Sequence, residues 1–206
     1  MIRNLVNNHF PNAKMNYRDS ILSYIKKINS TWEELTKEDL NQLSNHILVE
    51  NVKKSTYLLN SGETCKYIYS IQSGSAWKFN ALKGKKIPTE FAFKDDILIP
   101  FQSYYLQTPS HEYIQVIEKI EYGVFESLKI NSPVLQKLDN LFLELHILKL
   151  EERLYSLRFH SAKEKIEWLI HRDPELFKKV PLKHIASYLD IRLETLIRER
   201  KKLKAT

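Results

Sequence analysis

The sequence predicts an α+β chain: an N-terminal double-stranded β-helix (jelly roll), one long helix and a small helical C-terminal domain. Three observations predict it. From about Val52, short aromatic and β-branched runs alternate with turn signals every 10 to 14 residues. From Pro133 the apolar residues change to helical spacing and keep it for about 25 residues. Beyond Phe159 come short amphipathic segments broken by Pro174 and Pro181, and the basic charge gathers there.

Taken in order, residues 1–15 are polar, Asn-rich and aperiodic, which predicts a flexible tail. Ile21, Leu22, Ile25 and Ile28 fall at helical spacing, and a second helix fits Ser30 to Leu48, capped by Ser30 or Thr31. Strands are expected at 55–59, 66–71, 75–79, 88–93 and 112–117. Turns are expected at Ser61-Gly62, Ser73-Gly74, Lys83-Gly84, Asp95-Asp96 and Pro109-Ser110. The expected domains are 16–132 for the β-roll, 133–158 for the long helix and 159–206 for the C-terminal domain.

The long helix carries two apolar stripes. Leu135, Leu138, Phe142 and Leu145 form one; Leu143, Ile147, Leu150, Leu154 and Leu157 form the other, at 4-3-4-3 spacing. A helix apolar on two sides needs cover on two sides. The heptad spacing suits an identical helix across a two-fold axis, hence a homodimer; the alternative is burial within one chain.

The formal net charge is +7, and its distribution is uneven. Residues 159–206 hold twelve Lys and Arg against seven Asp and Glu; residues 1–158 hold twenty against eighteen. An anionic partner is expected at the C-terminal end. Cys65 is the only cysteine, which excludes an internal disulfide and argues against a cysteine-ligated cluster. It reads as a buried small hydrophobe. The seven histidines show no metal-site spacing, and no phosphate loop, nucleophile elbow or catalytic carboxylate pair stands out. No enzyme activity, metal or cofactor is expected. Without a secretory signal or a membrane-spanning run, a cytoplasmic location follows.

The most informative stretch runs from Pro181 to Arg200. Ile185, Ala186 and Leu189 make an inward face, Asp190 and Ile191 a tight turn, and a second helix starts near Leu193 with Leu196 buried. Such a pair fits a helix-turn-helix, whose second helix enters the major groove. Two ordinary packed helices are the alternative.

The order of β-roll, long helix and helix-turn-helix resembles the CRP/FNR superfamily of bacterial transcription regulators. Gly62-Glu63-Thr64-Cys65-Lys66-Tyr67 through Gly74 is similar to its early β-roll hairpin. Val180-Pro181-Leu182-Lys183-His184-Ile185-Ala186 resembles the corresponding helix start in the Bacteroidetes branch. The resemblance covers about residues 17 to 203. It implies binding to double-stranded DNA through Arg192, Glu194, Thr195 and Arg198, with Lys183 on the phosphate backbone. Lys201 and Lys202, with Lys204, would add phosphate contacts in place of a β-wing, for which no residues are expected. Three positions depart from the pattern: Asp190 stands at a turn position usually held by Gly, and Leu193 and Ile197 are apolar on the reading helix.

The same resemblance places the family's cyclic-nucleotide residues at Pro100 for Gly, Phe101 for Glu and His111 for the phosphate-binding Arg. None matches. A neutral His substitutes poorly for a bidentate Arg, so no response to cyclic AMP is expected. Any small-molecule effector would meet Phe101, Gln102, Ser110 and His111. Two function classes follow: a DNA-binding regulator, or a β-roll ligand- or protein-binding module whose degenerate helix-turn-helix no longer reads DNA.

Overall fold

Alternating aromatic and β-branched residues give six strands in the computed structural model, which describes residues 48–125 and 133–203. They are β1 (Leu48–Val52), β2 (Tyr57–Leu59), β3 (Ile68–Leu82), β4 (Lys85–Ala92), β5 (Ile97–Leu98) and β6 (Glu112–Phe125). The helices are α1 (Phe101–Leu106), α2 (Pro133–Phe159), α3 (Ala162–Arg172), α4 (Leu176–Lys179), α5 (Leu182–Tyr188) and α6 (Leu193–Leu203). The expected tail, and the expected helices before Leu48, lie outside the described residues. Leu48 itself opens a strand instead of closing a helix.

The chain divides into two compact units. One takes in residues up to Lys78 together with Ala92–Phe142; the other joins Phe79–Phe91 to the chain from Leu143 onward.

In the first unit β1 lies antiparallel to β6, from Leu48 opposite Val124 to Val52 opposite Ile120. β2 also pairs with β6, and β5 pairs with β3 through Tyr69 opposite Leu98. The sheet order is β1-β6-β3-β4. Along β6 the buried apolar side chains Ile114, Val116, Ile120, Tyr122 and Val124 all fall on even positions. That two-residue period turns one face of the strand into the core, which also holds Ile68, Ile71, Ile99 and Tyr104.

One expected turn is a strand. Ser73-Gly74 does not reverse the chain; β3 runs through it for 15 residues. Gly74 takes φ 79°, and a Cβ there would stand 2.1 Å from the Lys119 carbonyl oxygen. The glycine therefore permits a close approach of β3 to β6. Lys83-Gly84, in contrast, does make the β3–β4 turn, with both residues at positive φ (51° and 74°), as a two-residue hairpin with the right twist requires.

In the second unit α3 begins at a reciprocal cap: Glu164 N–H donates to Ser161 Oγ, and Ser161 N–H to Glu164 Oε2 at 2.7 Å. The first apolar stripe of α2 is buried at Leu138, Phe142 and Leu145. The second is not: Ile147 is 56% exposed, Leu150 50% and Leu154 56%, with Tyr155 and Phe159 also open to solvent.

Candidate nucleic-acid interface

The candidate interface is built on α5, a four-residue turn and α6. Pro181 caps α5: its carbonyl accepts the N–H groups of His184 (2.9 Å) and Ile185 (3.3 Å). The chain leaves α5 through Asp190, at φ 52°, and the Ile191 N–H returns to the Ala186 carbonyl at 3.0 Å. Asp therefore supplies the left-handed residue that the turn needs, at the position where Gly was the usual choice. Ile185, Ala186, Leu189 and Leu196 are all buried, so the two helices are held by the apolar residues expected from their spacing.

α5 is fixed from behind by contacts that its own sequence does not announce. Tyr188 lies under the Arg153 guanidinium of α2, whose carbon is 4.3 Å from the ring centroid, and meets the Phe91 ring edge-on at 5.4 Å. Arg153 also donates to the Thr89 carbonyl, and Lys149 of α2 pairs with Glu90 at 3.6 Å. Burial raises the Tyr188 phenol above its ordinary pKa. The base of the β3–β4 hairpin, α2 and α5 thus form one packed cluster.

α6 is anchored by the buried Leu196. Arg192, Glu194, Ile197, Arg198, Lys201 and Lys202 are exposed, while Leu193 and Thr195 are half-buried. Lys183 is exposed on α5. The helix spans about 16 Å, at ~1.5 Å per residue, which is a convenient length for a major groove. Glu199 organises its cations: the Arg198 Nε donates to it at 2.9 Å and the Lys202 Nζ at 3.1 Å. The two hydrogen bonds hold the Glu199 carboxyl below its ordinary pKa. Arg200 turns away, its guanidinium 5.0 Å from the Phe177 ring centroid. The role of Glu199 was legible only as a carboxylate one residue after Arg198 and three before Lys202.

The four expected effector residues differ in their surroundings. Gln102 and His111 are exposed. Ser110 is buried, but its hydroxyl closes a local turn, accepting the Glu112 N–H at 3.0 Å and donating to the Glu112 carbonyl. Phe101 stacks on Tyr105 with centroids 5.8 Å apart. Inside the roll stands a cation that sequence reasoning passed over. Lys78, 4% exposed, donates to the Ile99 carbonyl at 2.7 Å and pairs with Glu112 at 3.6 Å. Its ammonium is 6.0 Å from the Phe101 ring centroid. Ile99 immediately precedes Pro100 and Glu112 immediately follows His111, so the partners of Lys78 adjoin the positions aligned above with cyclic-nucleotide residues.

Cys65 is fully buried, and burial pushes its thiol up to about 11, so the side chain is an inert one. Among the described residues no group of three or more His, Cys, Asp and Glu could hold a metal ion, and no helix is long and apolar enough to cross a membrane.

No protein-family model matches this chain, and no curated protein matches it in sequence. Solved structures do share its fold. FixK2 from Bradyrhizobium japonicum is similar with a TM-score of 0.64 at 15% identity, over 77% of this chain and 85% of that one. A transcriptional regulator of the CRP/FNR family from Eubacterium rectale, itself described as putative, gives 0.59 at 16% identity, over 86% and 88%. The c-di-GMP responsive global regulator CLP of Xanthomonas campestris gives 0.57 at 13% identity, over 82% and 92%. The chain therefore has an antiparallel β-domain followed by helices in the arrangement of CRP/FNR and cyclic-nucleotide-binding proteins. The Eubacterium and Xanthomonas neighbours are described as regulators.

Proposed function

We propose that this chain is a DNA-binding transcription regulator of the CRP/FNR type that does not respond to cyclic AMP. The observation that carries the reading is α6, which is anchored by Leu196 and, with Arg192 of the turn before it, offers Arg198, Lys201 and Lys202 to solvent. Arg198, Glu194 and Thr195 read base edges; Lys183, Arg192, Lys201 and Lys202 hold phosphates. Glu199 keeps Arg198 and Lys202 in place before DNA arrives and is exchanged for phosphate or base when it does.

Two heads are needed to read two half-sites, and the exposed Ile147, Leu150 and Leu154 supply the means, by pairing α2 with its copy across a two-fold axis. The β-roll has no use for a cyclic phosphate, because the Lys78 ammonium already has a carboxylate and a carbonyl as partners. The domain assignment is a β-roll to residue 132, a dimerisation helix over 133–158 and a reading domain from 159.

Selection of bound fragments from a random duplex pool tests the reading: enrichment of a two-fold related sequence is expected, and none at moderate salt refutes it. Arg198→Ala is expected to weaken specific binding by about 1–3 kcal/mol and to relax preference at one position per half-site. Cyclic AMP and cyclic GMP are expected to leave the melting temperature unchanged.

A further inference from the structure

We infer that the tip of the β3–β4 hairpin is a second DNA-contacting element, gripping the phosphate backbone beside the groove that α6 enters. The inference rests on the DNA-binding reading and extends it to a segment of the β-roll. Between Phe79 and Phe91 the chain carries Lys83, Lys85 and Lys86 against one acid, Glu90. Glu90 is engaged at the base of the hairpin, 3.6 Å from Lys149. The tip is therefore cationic, and its Lys83 and Lys85 are exposed. Lys83 and Gly84, at φ 51° and 74°, make a tight turn, so these charges sit on a short, well-defined protrusion.

The hairpin is tied to the reading head and not to solvent alone. Phe91 packs on Tyr188 of α5, and Thr89 accepts from Arg153, which lies over the same tyrosine. One turn before Tyr188 on α5 is His184, next to Lys183. Burial, and then the charges of Lys183 and Lys86, hold its imidazole below the ordinary pKa of 6.5. Lys86 of the hairpin and Lys183 of α5 thus both act on one imidazole, and the hairpin base and α5 meet through Phe91 and Tyr188. A run of like charges on one packed cluster repels itself and is relieved by a polyanion. Phosphates of a duplex, spaced regularly along the backbone next to the groove, are the partner that it fits.

The test is Lys83→Asn/Lys85→Gln in the full chain, with Lys53→Gln/Lys54→Gln as a charge-matched control. Both pairs are exposed, so melting temperatures should hold. Binding is measured against salt on the fragment selected for the unaltered protein. Each lost phosphate contact lowers the slope of log affinity against log salt by about 0.9, or roughly eightfold at 0.1 M relative to 1 M. The hairpin variant is expected to lose at least that much on every duplex, with its sequence preference unchanged, and the control to lose little. Equal losses in both variants would reduce the effect to net charge and overturn the inference. A hairpin variant that binds like the unaltered protein would overturn it too, while leaving the DNA-binding reading intact. If the unaltered protein binds no duplex, that reading fails and this inference fails with it.

Discussion

Replacing Leu150 and Leu154 with glutamate is expected to split the proposed dimer without unfolding the chain. The two side chains are 50% and 56% exposed, so a partner helix would cover about half of each. Covering half a leucine is worth about 1 kcal/mol, and a two-fold axis uses each residue twice. The four side chains together contribute about 4 kcal/mol, which is roughly a thousandfold in the dissociation constant. Four carboxylates brought together at the seam would add repulsion to that loss. Sedimentation velocity measures the outcome: the unaltered chain, of 24.5 kDa, should run at twice its mass at micromolar concentration, and the variant at its own mass. Melting of the variant should stay within a few degrees, because neither residue is buried in the single chain. The reasoning is refuted if the unaltered protein is a monomer at those concentrations, or if the double variant dimerises with the same constant.

Other perturbations bear on the fold and its charges. Gly74→Ala should cost about 3 kcal/mol or more by denaturant titration, from a strained φ of 79° and a Cβ 2.1 Å from a carbonyl oxygen. Gly62→Ala, at a positive φ with nothing within 4 Å, should cost about 1–2 kcal/mol. Lys78→Met should cost about 2–4 kcal/mol by leaving the Glu112 carboxylate without this partner, and Lys78→Met/Glu112→Gln should recover most of it. His184 binds its proton less readily folded than unfolded, since its pKa lies below 6.5 in the fold. Stability should therefore fall as pH drops below about 6.5, where only the unfolded chain takes up the proton. Chemical denaturation at stepped pH should show that loss, and His184→Gln should flatten it.

The α5–α6 pair was legible because its information is local. Ile185, Leu189 and Leu196 mark one face by spacing alone, and Asp190 can adopt the left-handed turn that links the helices. The same holds for α2, whose two stripes separate in the structure into a buried one and an exposed one. Ser73-Gly74 misled for a related reason: a glycine after a serine has the composition of a turn, and only Lys119 on a distant strand shows that it is a close approach. The ion pair of Lys78 with Glu112, and the packing of Phe91 and Arg153 on Tyr188, leave no local trace. Each joins residues tens of positions apart, with no periodicity connecting them. By itself the sequence determined where strands give way to helices and which faces of the long helix and of α5 and α6 are apolar, because those follow from backbone period and side-chain size. Only the tertiary structure decided which charge sits inside the roll and which hairpin packs on α5, because burial and pairing depend on what the folded chain brings together.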